Sequence, residues 1–320
     1  MESWCISNIL INTMNKLIFA LFSVCILFTS CHALVEDEFP DFAKVPVMNG
    51  LLQADSTFKV QVSLTANLTD TAPTYVSNAR VIIESTDATP DTLVYTEKGW
   101  YVSERTAKAG ASYTCMAEIP GYKTASAQTT IPVPTVIDSI KYIDLVGRDE
   151  EADKISSIQF RIRNNVNTQR YWQVNLKIKG IGMDYNWETR EWSEGLIERE
   201  KYFYMQAGQD TVLLHEANPL KLFSNIKMKS EQYWVRTYYN EHSSSNIGKN
   251  DTIIIDLQNV DESYYRFMKQ YYIYETSGFA TIGQSQQFYS LYSNVKNGFG
   301  LFTGMSVSRK EIVAPNPKGE

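Results

Sequence analysis

The chain has 320 residues, 43% hydrophobic and 21% charged, with a net charge of −6 at neutral pH. These are the values of a globular chain long enough for two ordinary domains, and they exclude a disordered one. The acidic balance excludes the basic footprint of a nucleic-acid-binding protein, and no apolar run after residue 30 approaches the roughly 20 residues that cross a bilayer.

The first informative segment is MNKLIFALFSVCILFTSC, from Met14 to Cys31. Lys16 supplies a positive start, and Leu17 to Phe28 is an almost unbroken apolar run of about a dozen residues, the length of a signal-peptide core. Phe28-Thr29-Ser30-Cys31 looks like a lipoprotein cleavage box, with a large apolar residue, two small ones and a cysteine to carry lipid. Residues 1–13 hold Glu2 and Trp4 and no base, so Met14 is read as the true start. Residues 1–30 are expected to be a signal peptide, Cys31 the lipidated first mature residue, and 31–43 a tether.

Of the four cysteines, Cys5 and Cys25 leave with the leader and Cys31 is anchored. Cys115 is then alone in the alternating run Tyr113-Thr114-Cys115-Met116-Ala117 and reads as a small buried hydrophobe.

Strand signals follow in close order. Lys44–Leu52 is β-prone, and Pro46 near its start suits an edge strand. Phe58, Val60, Val62 and Leu64 alternate onto one face. Short β runs recur at 79–84, 92–96, 99–102, 113–119 and 124–131, with a turn at Pro120-Gly121-Tyr122. This spacing predicts a β-sandwich over 44–134. Ile131-Pro132-Val133-Pro134-Thr135 reads as a hinge.

Beyond it, β runs are expected at 136–145, 158–163, 171–178, 211–214, 232–239 and 252–257, with a charged loop at 147–154. In the third of these, Trp172, Val174, Leu176 and Ile178 share one face. Gly180–Glu200 reads as irregular. Asp261–Glu275 is the one convincing helix: Asp261 is a good N-cap, and Glu262 adds charge favoured by the helix dipole. Its many tyrosines suit a helix laid across a sheet, or a ligand-stacking face. Residues 135–315 are therefore expected to form a larger antiparallel β-domain with one helix at 261–275, ending in a tail at 316–320.

Catalytic signals are sparse. After the leader and tether only His215 and His242 remain, neither at zinc spacing. No nucleophile elbow is present. Acid pairs such as Glu188 with Glu191, and the run Asp149-Glu150-Glu151, fall in loop-like stretches where glycosidase geometry is not readable. The glycines at 298, 300 and 304 lack phosphate-loop spacing. No catalytic residue, metal site or cofactor is assigned. Tyr185, Trp187 and Trp192 are the candidate binding residues, as a platform for a glycan or peptide or as a cap on one end of the second domain. Asn297-Gly298, with Gly300, reads as a tight turn requiring positive φ, and Phe299 and Phe302 as core plugs after it.

Four places carry a family resemblance: the box at Cys31 with the early Asn49-Gly50-Leu51-Leu52; Gly121-Tyr122 with the following segment Ala125 to Pro132; the Tyr-rich helix Ser263–Tyr274; and Ser293 to Gly304, where Asn294 and Asn297-Gly298 stand at the family's strand-to-turn step. On these the chain resembles the domain-of-unknown-function 4249 family of Bacteroidetes outer-membrane lipoproteins, over essentially the whole mature chain. The resemblance implies an outer-membrane lipoprotein. Genes of this family often sit beside TonB-dependent receptors, which implies a binding accessory to such a transporter. The acidic cluster Glu36-Asp37-Glu38, close after Cys31, resembles the surface-export signal of such lipoproteins, and His32 is not the Asp that retains lipoproteins at the inner membrane. The expected fold is mainly β: an immunoglobulin-like or transthyretin-like sandwich, then a larger antiparallel β-domain with one long helix. The expected role is non-catalytic. The alternatives are an adhesion or envelope-structural lipoprotein and a surface polymer hydrolase.

Overall fold

A computed structural model describes residues 42–314, except 68–69, 87, 206–209, 217–218, 241–246, 249 and 277–290. The leader, Cys31, most of the tether, His242 and the tail lie outside the described residues. No helix among those described is long and apolar enough to cross a membrane.

The fold is mainly β, with several antiparallel sheets and one α-helix among the described residues. From Ala43 on the chain forms one compact unit. Its first strands are β1 (Pro46–Gln53), β2 (Thr57–Leu64), β3 (Thr74–Tyr75), β4 (Arg80–Ser85), β5 (Ala88–Thr92), β6 (Val94–Tyr95), β7 (Trp100–Thr106), β8 (Ser112–Glu118) and β9 (Ala125–Thr130). There follow β10 (Ile137–Arg148), β11 (Lys154–Arg163), β12 (Tyr171–Asn186), β13 (Glu191–Glu200), β14 (Tyr204–Met205), β15 (Leu222–Ser224), β16 (Gln232–Asn240) and β17 (Thr252–Val260). Helix α1 (Glu262–Thr276) and β18 (Phe302–Val313) complete the described chain.

A ten-stranded sheet runs β13-β12-β17-β18-β1-β2-β7-β6, with β3 and β15 paired to its side. Two four-stranded sheets, β5-β4-β8-β9 and β10-β11-β16-β14, cover it. One core lies over β1, β2 and β7 and holds Met48, Val60, Val62, Val81, Cys115 and Phe302. The second lies over β12 and β17 and holds Trp172, Val174, Leu176, Phe160, Val235 and Ile255. Each such fully buried side chain contributes roughly 1.5–3 kcal/mol. The alternation predicted for β2 and β12 is what feeds these cores: Val60, Val62, Trp172 and Val174 have no exposed surface. Cys115 is fully buried as expected, and burial pushes its thiol up to about 12.

One sheet thus serves both cores. Its join is β18, which pairs antiparallel with β17 along Thr252↔Val313 to Val260↔Met305 and parallel with β1 along Gly50↔Phe302 to Gln53↔Met305. β1 therefore lies inside the sheet rather than at an edge. Pro46 is tolerated because it is the first residue of the strand, and its carbonyl accepts from Phe299 N–H at 2.9 Å. The segment read as a hinge is pinned. Ile131 and Thr135 are buried; Thr135 N–H donates to Asn259 Oδ1 at 3.0 Å, and Trp172 Nε1 donates to Thr135 Oγ1 at 2.8 Å.

Three further expectations change. Thr211–Leu214 is not a strand but leads into a short 3₁₀ turn, Leu213–His215, because Asp210 Oδ1 accepts from Val212 N–H at 3.0 Å and Leu213 N–H at 3.4 Å. The charged loop at 147–154 shortens to a turn, since β10 runs on through Arg148. Gly180–Glu200 is a regular hairpin, described below.

Helix α1 starts as its sequence predicts: Asp261 Oδ1 accepts from Tyr264 N–H at 2.8 Å. Tyr264, Tyr265 and Met268 pack against Tyr171, Leu222, Val260 and Met305 on the outer face of the ten-stranded sheet. Below them the buried Glu216 accepts from Ser224 Oγ at 2.6 Å, from Lys269 Nζ at 2.8 Å and from the Tyr265 hydroxyl. The tyrosine face is thus largely a structural one.

Candidate functional site

The Gly180–Glu200 stretch is the distal part of the β12–β13 hairpin. β12 pairs with β17 only as far as Lys179↔Thr252, while its ladder with β13 runs unbroken from Lys177↔Glu200 to Asn186↔Glu191. Residues 180–197 therefore extend past the end of the β12–β17 ladder and pair as strands only with each other. The turn is built by Asn186. Its Oδ1 accepts from Glu188 N–H at 2.9 Å and Thr189 N–H at 3.2 Å, and its carbonyl accepts from Arg190 N–H at 2.8 Å, with Arg190 at φ 59°.

The three candidate aromatics meet at the tip. Tyr185 stands opposite Trp192 in the ladder, with ring centroids 5.0 Å apart, and Trp187 in the turn packs edge-on to Tyr185 at 4.8 Å. The same face continues down the hairpin through Met183 and through Ile181 opposite Leu196. Trp187 is 82% exposed, Ile181 72%, Leu196 65% and Trp192 64%. A contiguous apolar face of that exposure is larger than scattered surface hydrophobes need be and makes the hairpin the candidate binding surface. Ile181, Met183 and Leu196 were not singled out from sequence. Their signal was legible, because Ile181, Met183 and Tyr185 alternate with Gly182 and Asp184.

The hairpin is also acidic: residues 180–200 hold Asp184, Glu188, Glu191, Glu194, Glu198 and Glu200 against Arg190 and Arg199. At its base Lys177 Nζ contacts Glu198 at 2.8 Å, and this contact holds the Glu198 carboxyl below its usual range. Arg309 clamps Asp256 with two bonds of 2.7 Å on the same face. This ionic belt separates the apolar hairpin from the apolar patch under α1.

Apart from the hairpin, a concavity of about 740 Å³ lies beside β16. Lys227, Lys229, Trp234 and Arg236 line it, and the Tyr233 hydroxyl donates to Asp210 Oδ2 at 2.6 Å. That volume is within the range of small-ligand sites. Among the described residues no group of three or more His, Cys, Asp or Glu is placed to hold a metal ion.

The other predicted residues lie elsewhere. Asn297, at φ 56°, turns the chain between two sheets rather than within a hairpin: Lys296 bridges Ser126 of β9, and Phe299 bridges Val47 of β1. Gly298 lies where a Cβ would meet the Pro46 carbonyl oxygen at 2.5 Å, and Gly300, at φ 113°, where one would meet Met48 O at 2.2 Å. Phe302 is a core plug as expected, but Phe299 is 55% exposed, since its backbone and not its ring joins the sheet. Asn294 Nδ2 donates to Phe302 O at 2.7 Å and its Oδ1 accepts from Phe302 N–H at 3.0 Å, continuing the ladder with a side chain.

No curated protein matches the chain. A family model described as "Domain of unknown function (DUF4249)" matches residues 34–311, most of the chain, including both cores, the hairpin and the Asn294–Gly304 segment. The chain belongs to that family.

Proposed function

We propose that this protein is an outer-membrane lipoprotein, anchored through Cys31 and displayed at the cell surface, that acts by binding as an accessory to a TonB-dependent transporter. The reading is carried by one observation: the projecting hairpin exposes Ile181, Met183, Trp187, Trp192 and Leu196 around the half-buried Tyr185 on one face. Exposed tryptophans at the end of a projecting element are the anchors that protein interfaces use. The surface is suited to docking on the transporter, and the concavity beside Trp234 has the volume for nutrient capture. The runner-up is an adhesion or envelope-structural lipoprotein, which would use the same hairpin on a different partner; a surface polymer hydrolase is the third reading.

Affinity capture from detergent-solubilised outer membrane tests it. The wild-type chain should retain a TonB-dependent barrel, and Trp187→Ala with Trp192→Ala should release it. Retention of no such barrel would sink the accessory role. Cys31→Ala should leave the leader uncleaved and the protein absent from the membrane fraction; unchanged processing and fractionation would remove the anchor. Turnover of labelled surface polymers by the purified protein would favour the hydrolase.

A further inference from the structure

The edges of the three sheets are blunted in different ways, one of them by charge alone. β6 and β14 are two residues long, β5 carries Pro90, and β10 pairs with β11 through two register shifts. β9 is partly covered by Lys296. Short edges, prolines, bulges and covering segments are devices that prevent strand addition. β13 lacks these and is guarded only by charge, the remaining such device, at Glu191, Glu194, Glu198, Arg199 and Glu200: it is ten residues long, exposed along most of its length, free of proline and regular in register.

The direction of its free hydrogen-bonding groups follows from one bond. Lys201 N–H donates to Leu176 O at 2.8 Å, so this pair is a hydrogen-bonded one. Hydrogen-bonded and non-bonded pairs alternate along an antiparallel ladder. The N–H and C=O groups of Trp192, Glu194, Leu196, Glu198 and Glu200 therefore point away from β12, along the open edge. Their side chains share the apolar face of the hairpin. Down this edge the order is apolar, acidic, apolar, acidic, acidic.

We propose that the β13 edge accepts an added β-strand from a partner protein whose residues facing that surface take turns between apolar and basic. This rests on the docking reading and names how the partner binds. Main-chain bonds to the edge would supply affinity, and side chains at alternate positions specificity. Valine or leucine would lie against Trp192 and Leu196, and lysine or arginine against Glu194, the acid between them; Glu198 is already held by Lys177 at 2.8 Å. A second copy of this chain is a poor match, because antiparallel self-pairing centred on Glu194 or Leu196 sets glutamate against glutamate, and centred on Gly195 it sets Trp192 against Glu198 and Leu196 against Glu194. Glu194 has no ion partner among the described residues.

The probe is a synthetic decapeptide with threonine at every second position and valine and lysine taking turns between them. The detergent-solubilised full chain should bind it. N-methylation of the peptide at its edge-facing amides should weaken binding by about tenfold or more, since it removes the main-chain bonds without touching the protein. Glu194→Lys and glutamate-for-lysine peptides should also weaken it. Absence of binding, or equal binding by the N-methylated peptide, would overturn the proposal, as would a dimer in sedimentation that Leu196→Pro dissociates. The docking reading fails separately. If the wild-type chain retains no transporter, that reading falls and the peptide arm still decides the edge. If wild type and Leu196→Pro retain the transporter equally, docking stands and strand addition falls.

Discussion

The Thr129 hydroxyl donates to Asp261 Oδ2 at 2.5 Å across 132 residues of sequence. Asp261 also accepts from the Thr303 hydroxyl, from Gly304 N–H at 3.3 Å and from Tyr264 N–H at 2.8 Å. One carboxylate therefore caps α1 and ties β9 to β18, where the two cores meet. Burial pushes the Asp261 carboxyl above its ordinary range, against the opposing effect of these donors.

Asp261→Ala should therefore cost about 2–4 kcal/mol, combining a lost cap with buried donors left unpaired. Asp261→Asn supplies the pH test. A carboxyl whose folded pKa is raised binds more protons folded than unfolded, so its contribution is present at low pH and lost as pH rises from the ordinary 3.8 through the raised value. The stability of wild type minus that of Asp261→Asn should fall as pH rises above 3.8 in urea titrations. A difference that grows would reverse the assignment.

Gly300→Ala combines a forbidden dihedral with a backbone clash, because φ is 113° and the new Cβ would sit 2.2 Å from Met48 O. It should destabilise by about 3 kcal/mol or more and loosen the β1–β18 pairing in hydrogen exchange. Gly121→Ala, at φ 83° in open space, should cost only about 1 kcal/mol. Equal costs at the two sites would show that dihedral strain alone matters.

Arg309→Ala leaves the nearly buried carboxylate of Asp256 with only Lys177 Nζ, 3.8 Å away. A cost of about 1–3 kcal/mol is expected, less than for a fully buried pair because Arg309 is half exposed. A double-mutant cycle with Asp256→Asn should return a coupling of about 1 kcal/mol. No coupling would mean that the clamp does not contribute.

Trp187→Ala and Trp192→Ala should leave thermal unfolding within about 0.5 kcal/mol of wild type, since both rings are mostly exposed. Retention of the partner should fall at the same time. Loss of stability without loss of binding would turn the tip into a structural cap.

Where side chains alternate between a dry and a wet face, as at Phe58–Val62 and Trp172–Ile178, the sequence alone places strands and core, because burial imposes the period. The Asp261 cap is equally local. The lipobox reading of Cys31 is also a matter of sequence, and lies outside the described residues. Tertiary structure alone decided the rest. The parallel pairing of β1 with β18 spans some 250 residues and leaves no periodic trace, since a buried strand does not name its neighbour. The same pairing put Phe302 inside and left Phe299 outside, though both are aromatic and three residues apart. The hairpin at 180–200 went unread because it buries neither face. Its alternation looks like that of a core strand, and only the projection of β12 and β13 past β17 shows that the apolar side stays exposed.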